Sequence, residues 1–385
     1  MTANQSTDVG LRRDLSWIKQ ALQTAIELEC STLPLFLSAM FSLKVQDYPA
    51  YNAIRSVVME EMVHMAIGCN MLAALGGAPQ IKHFSPAYPV RGLPGGAEPD
   101  LQVGLAQLSR PQLKNFMRIE MPEFLLRGAD RGETYPTIAA FYQGIRRAIL
   151  DNAEQVRAAI RAGGPANQVG DNIGFTTISY TAGVDPVDPF LAGIDEILEQ
   201  GEGASASALF AGSGSEAEES HYCRFAEIYY GAGYVDPQPP LSLTAQSEPE
   251  FFRGRPIPWP VVVNTLAVPV DGYARILALD PNAAAVTADL NAFDNAYTSI
   301  LTALDAVWNG PADASWKTLG GSVHSMVDLR VLSCFNIILR HQIPDDIVRR
   351  IPELYPNEID RLLAYTRLAE PVFYGPRFCN LNSTI

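Results

Sequence analysis

Apolar positions recur at helical spacing along most of the chain. Across residues 12–43, Leu15, Ile18, Leu22, Ala25, Ile26, Leu33, Phe36 and Met40 predict one long helix, which Pro34 should kink or break. Residues 50–75 repeat the pattern with Ile54, Val57, Val58, Met65, Leu72 and Leu75, and stop at Gly76-Gly77. Only about six residues join the two helices, so they should pack as antiparallel neighbours. Residues 76–108, rich in Pro and Gly, read as a long crossover. Ser109-Arg110-Pro111 marks the start of a third helix, running to about Arg127 with a distortion at Pro122. Further helices are predicted over about 137–162, 188–200 and 215–231, with residues 163–186 mostly loop. Residues 235–270 are dense in proline and keep apolar residues such as Phe251, Phe252 and Trp259, which suits an ordered arm lying over the rest. Helical stretches near 282–309, 318–341 and 357–368 follow. Strand signals are few. The class is mainly α, with a helical bundle over 11–232 and a Pro-rich arm and C-terminal helices capping it over 233–385.

Composition narrows the setting. The chain has 385 residues, 48% apolar and 18% charged, enough for a large core. A formal charge of −14 and the lack of a basic run argue against nucleic acid as a partner. Five scattered cysteines without CxxC spacing suit a reducing cytoplasm. No signal-peptide core opens the chain, and no uninterrupted apolar run reaches the length of a membrane span. The expectation is a cytoplasmic protein with no membrane partner and the capacity to form a homo-oligomer.

Polar residues inside the apolar stripes carry the candidate chemistry. The chain has five histidines, and two of them close a Glu-x-x-His spacing: Glu61/His64 and Glu218/His221. On a helix such a pair shares a face. Glu61 and His64 interrupt the stripe of the second helix, and burying them without partners would cost several kcal/mol. Glu60 points elsewhere and reads as solvated. On the first helix Glu27 and Glu29 lie about 200° apart, so one faces inward. Glu27 shares its side with Gln20, Gln23, Ser31 and Ser38; Glu29 shares its side with Leu22, Ala25, Leu33, Phe36 and Met40 and is the inward candidate. A last carboxylate comes from Glu120, in the stripe of Leu113, Phe116, Met117 and Phe124, or from Glu202 between two glycines, or from both. Glu123 ranks lower. Two Glu-x-x-His pairs and a glutamate from each of two other helices make up the donor set of ferritin-like di-iron and di-manganese bundles. Its hard oxygen-rich character suits two iron ions, with manganese as the alternative. His83, His324 and His341 have no ligand spacing.

The stretches AIELECSTLPLFLSAMFSL, VVMEEMVHMAIGCNMLAALGGAP, FMRIEMPEF, ILEQGEG and ESHYCRFAEIYYG resemble the ferritin-like domain of iminophenyl-pyruvate dimer synthases, the violacein and indolocarbazole pathway type. The resemblance runs from about residue 11 to about residue 232 and is looser beyond. It implies a ferritin-like four-helix bundle and a metal site. In ferritin-like proteins an aromatic often follows the first-helix glutamate by seven residues, as Phe36 follows Glu29 here. The pathway synthases are much longer chains that couple amino-acid-derived imines oxidatively. This shorter chain is expected to be a dinuclear-metal oxidase or oxygenase acting with O2 on a small, possibly amino-acid-derived, metabolite. Imine coupling itself and metal storage or detoxification are the alternatives.

Overall fold

The first two helices set the frame. In the computed structural model, which describes residues 13–45, 48–121, 135–163, 167–170, 178, 183–202, 210–211, 218–236, 244 and 246–382, α1 spans Leu15–Phe41 and α2 spans Pro49–Ala74. Asp14 caps α1 by accepting from the amides of Ser16 and Trp17, and Pro49 sits where α2 needs no amide bond. The pair is antiparallel: Ile26 meets Gly68, Cys30 meets Met65 and Thr32 meets Glu61. Pro34 lies inside α1 without ending it. The Tyr88 hydroxyl donates to the Ser31 carbonyl at 2.7 Å, satisfying an acceptor in the turn the proline disturbs. Both helices are long and apolar enough to cross a membrane, but 78% of the most apolar window of each is buried, because they turn that surface on each other and on the helices around them.

The other two sides of the bundle are each made of two helices laid end to end. On one side α3 (Arg110–Ile119) is followed by α4 (Ile138–Asp151). This side runs antiparallel to α1: Leu108 meets Ser42, Tyr142 meets Glu29 and Asn152 meets Arg13. The next helix, α5, spans Ala153–Gly163. On the remaining side α6 (Val187–Glu202) is followed by α7 (His221–Tyr230), antiparallel to α2: Gly193 meets Ile67, Gln200 meets His64 and Arg224 meets Ser56. Two strand pairs of two residues each complete this part, Val90–Arg91 with Gln102–Val103 and Phe210–Ala211 with Glu218–Glu219. The result is a mainly helical bundle.

Three sequence expectations change here. The third helix stops at Ile119, with Glu120 as its C-terminal cap; residues 122–134, including Glu123 and Arg127, lie outside the described residues. The helix expected over 137–162 is two helices, parted at Asn152, whose side chain bonds the carbonyls of Arg13 and Ala148. The helix expected from 215 begins at His221, because Ser220 takes the cap and accepts from the Cys223 amide at 3.3 Å.

Beyond residue 232 the chain braces the bundle. Val262 bridges to Leu43 and Thr265 to Phe373, tying the Pro-rich arm to α1 and to the C-terminal tail. After α8 (Ala274–Leu277), α9 (Ala283–Asn309) and α10 (Ser315–Val331) form a hairpin, and α10 runs on into a π-helix over Leu332–Ile338. Short helices α11 (Asp345–Val348), α12 (Ile351–Leu354) and α13 (Ile359–Tyr365) follow. Asn70, fully buried on α2, joins the two parts. Its oxygen accepts from Trp308 Nε1 at 2.9 Å and from the Val169 amide at 3.1 Å, and its amide donates to the Val169 carbonyl. Asn70→Ala leaves all three partners buried and unpaired, so chemical denaturation should show a loss of about 3 kcal/mol. A loss under about 1 kcal/mol would mean that Asn70 does not anchor α9.

Candidate metal centre

Helical packing brings one cross-section of the bundle together from six helices. Glu29 from α1 and Glu61 and His64 from α2 are 2–3% exposed, Glu120 at the end of α3 is 6% exposed, and His221 at the start of α7 is fully buried. Phe36 lies one level below, packed on Phe116 of α3 and Phe225 of α7 with ring centroids 4.8 and 5.0 Å away. Ile119, Ile138, Ile197, Leu198 and Gly201 close the other side of a cavity of about 20 Å³ that Glu29, Glu61, His64, Glu120 and Tyr142 also line, room for about one water-sized group.

The donor atoms converge. His221 Nδ1 stands 2.7 Å from Glu61 Oε1 and 3.5 Å from Glu120 Oε2, and His64 Nδ1 stands 4.0 Å from Glu61 Oε1. Glu61, His64 and His221 each offer one donor within 4.8 Å of the others. The two imidazoles lie 5.3 Å apart at 25°. Their far nitrogens are both held by oxygen. His221 Nε2 is 3.0 Å from Glu60 Oε2, and His64 Nε2 is 2.7 Å from Gln200 Oε1. Oxygens that only accept fix the proton on Nε2 and leave each Nδ1 facing the cavity. Arg224 donates to Glu60 Oε1 at 2.6 Å and to Ser56 at 3.0 Å, completing the support behind His221. Thr32 donates to Glu61 Oε2 at 3.2 Å, and the Tyr142 hydroxyl donates to Glu29 Oε1 in a short bond.

Protonation follows from burial and these neighbours. Burial, then the charge of Glu61, pushes Glu29 well above the usual carboxylate range. Burial also raises Glu120, against the pull of His221. Burial drives His64 down to about 4, so it is neutral at pH 7. Burial would lower His221 too, but Glu120, Glu60 and Glu61 outweigh it and hold the ring well above its ordinary value. Glu60 is likewise opposed by burial, yet its bonds to His221 and Arg224 keep it below the ordinary value.

Of the residues singled out in the sequence, Glu29, Glu61, His64, Glu120 and His221 come together. Glu218 does not share a helical face with His221, since it lies in the two-residue strand before the helix begins. Its side chain lies outside the described residues, as does that of Glu202, the last residue of α6. Glu60 is not solvated as its helical face implied; it is 18% exposed and bound to His221 and Arg224. Glu60, Gln200, Arg224 and Tyr142 carried no spacing signal. His341 pairs with Asp289, and His83 with the Asn382 carbonyl, both away from the site.

A family profile described as Ferritin-like matches residues 22–230, over half of the 385 residues. No curated protein matches the chain. A ferritin-like protein from Caulobacter vibrioides, of known crystal structure, shares the fold, with a TM-score of 0.54 and 23% identity over 82% of this chain and 96% of that one. The matched span contains the whole converging set from Glu29 to His221, and the chain belongs to the ferritin-like family.

Proposed function

We propose that this protein is a metal-dependent oxidoreductase whose ions are held by Glu61, His64 and His221, together with Glu29 and Glu120. One observation carries the reading. His221 Nδ1 and Glu120 Oε1 are buried without an aligned hydrogen-bond partner, and His221 Nδ1 nevertheless lies 2.7 Å from a carboxylate oxygen. The ring nitrogen stands close to two carboxylates, 2.7 and 3.5 Å away, without an aligned hydrogen bond to either. Donors that share one small divalent ion lie ~3 Å apart, so this spacing and the two orphaned atoms fit a cation. The two imidazoles and the carboxylates of Glu61, Glu29 and Glu120 would hold the ions between them. Nitrogen and oxygen donors without thiolate favour iron or manganese.

When bound, such ions supply the O2 and one-electron chemistry that no side chain of this chain can. The remaining tasks fall to the protein. Glu60 and Gln200 orient the imidazoles and set their tautomers. Tyr142 holds its hydroxyl proton on Glu29 Oε1 and can keep that carboxylate in place as its charge changes. Ile119, Ile138, Ile197 and Leu198 exclude water from one side of the cavity. The sequence blocks that resemble iminophenyl-pyruvate dimer synthases support a small, amino-acid-derived substrate, with imine coupling as one form of that reaction. Five thiols, all free, support a cytoplasmic setting.

Elemental analysis tests this reading. Protein purified or reconstituted with Fe(II) or Mn(II) should bind about two equivalents, lost in Glu61→Ala and His221→Ala. A chain that stays metal-free on reconstitution overturns it, and uptake of many ions per chain with O2 would mean storage instead. Glu60→Gln should weaken metal binding ~10–100-fold while leaving the circular dichroism unchanged; undiminished affinity would remove Glu60 from the centre. The last expectation concerns pH. A carboxyl whose folded pKa is raised costs no stability below its unfolded value and imposes its full penalty above the raised one. Metal-free Glu120→Gln should therefore exceed the metal-free parent at pH 7 by about 1 kcal/mol, and the two should converge near pH 4. A difference that does not change with pH would show that Glu120 is not a strained buried charge.

A further inference from the structure

The outer face of α10 is apolar and faces solvent. Trp316, Val323, Val327, Val331, Phe335 and Leu339 are 41–57% exposed, and they are six of the sixteen large apolar side chains exposed among the described residues. The first four are one stripe, since steps of three, four and seven residues return to the same side of a helix. The π-helix over Leu332–Ile338 extends it with Phe335, and Leu339 follows. Beside it runs a groove walled by Val323, Met326 and Val327 on one side and Leu37, Val58 and Met59 of the bundle on the other. Scattered exposed apolar residues need no explanation, but a contiguous patch does.

We propose that this face binds a second copy of the chain, with the two α10 helices antiparallel about a two-fold axis. The part of the stripe that a second α10 can cover, Trp316, Val323, Val327 and Val331, presents about 350 Å² per copy, and charge argues for what covers it. Two chains of formal charge −14 repel, so a contact between them needs a face without excess negative charge. The charges flanking the stripe on α10 are Lys317, Asp328 and Arg330, which meet that need.

Their positions also choose the arrangement. Lys317 and Asp328 are eleven residues apart, three turns and about 20° around the helix, so they lie on the same flank. A two-fold axis passing over Ser322 and Val323 sets Lys317 of each copy against Asp328 of the other. The same axis lays Trp316 between Val327 and Val331 of the second copy. Gly320 then lies opposite Val323 and Val327 of the second copy. A Cβ added at Gly320 or Gly321 would meet nothing within 4 Å in this chain, and glycine inside a helix weakens it. Close approach by another helix gives both glycines a use, though they only accompany the charge argument.

Sedimentation of the full chain at ~5–100 μM, a range that resolves micromolar dimers, tests the proposal independently of the metal reading. The parent should be a dimer. Val327→Glu, at an exposed position that leaves the fold and metal content intact, should raise the dimer dissociation constant at least ~100-fold. Lys317→Glu should weaken it ~10-fold, and the double variant Lys317→Glu/Asp328→Lys should restore it. A parent that stays monomeric overturns the proposal, including one that instead floats with lipid vesicles or needs a different protein to cover the stripe. So does a dimer that Val327→Glu leaves intact. Failure of the charge exchange to restore binding overturns the antiparallel pairing.

Discussion

Charge buried at mid-bundle is the constraint on which this structure turns. Glu61 is nearly inaccessible on α2, flanked by His64 and faced by Glu29, Glu120 and His221. Such a group must be neutralised, hydrogen-bonded or bound to a cation, because the apolar packing around it offers nothing else. The two interrupted sides of the bundle answer to that need. A continuous helix would present only side chains at this level. A helix end presents its cap residue and unpaired backbone groups as well, and α3 and α6 end here where α4 and α7 begin.

The two imidazoles are not equivalent. His221 backs onto a carboxylate that is itself held by Arg224, whereas His64 backs onto the neutral amide of Gln200. A charged acceptor pushes electron density toward the facing nitrogen more than an amide does. Burial opposes protonation of both rings, but the carboxylates around His221 outweigh it, so His64 is hard to protonate and His221 easy. The donor set thus combines a ready neutral ligand with one that must give up a proton to a competing cation.

Much of this was legible in the sequence where a signal is local and repeated. α1 and α2 are long and strongly periodic, so their extent, their pairing and the inward face at Glu29 follow from spacing alone. The interruptions were not legible. Apolar residues keep their period through the end of α3, and only Pro122 hinted at a stop. At α7 a single serine, Ser220, moved the helix start past Glu218. The support around the imidazoles was hidden for another reason. Glu60 looks solvated on its own helix, and the residues that bury it, His221 and Arg224, come from more than 150 positions away. Tyr142 reaches Glu29 across 113 positions. The stripe on α10 was hidden likewise, because periodicity marks an apolar face without saying what covers it.

The link between Asn70 and Trp308 has a consequence for what counts as the unit of this protein. The family match ends at residue 230, yet α9 reaches back to polar groups that the bundle leaves open. Asp305 accepts from the amides of Ile81 and Lys82, and Asn309 donates to the Pro79 carbonyl. The segment that the family profile matches is therefore shorter than the segment that packs together. Recombination that carried residues 22–230 alone into another chain would transfer the donor atoms but leave behind the splint that keeps their helix in register.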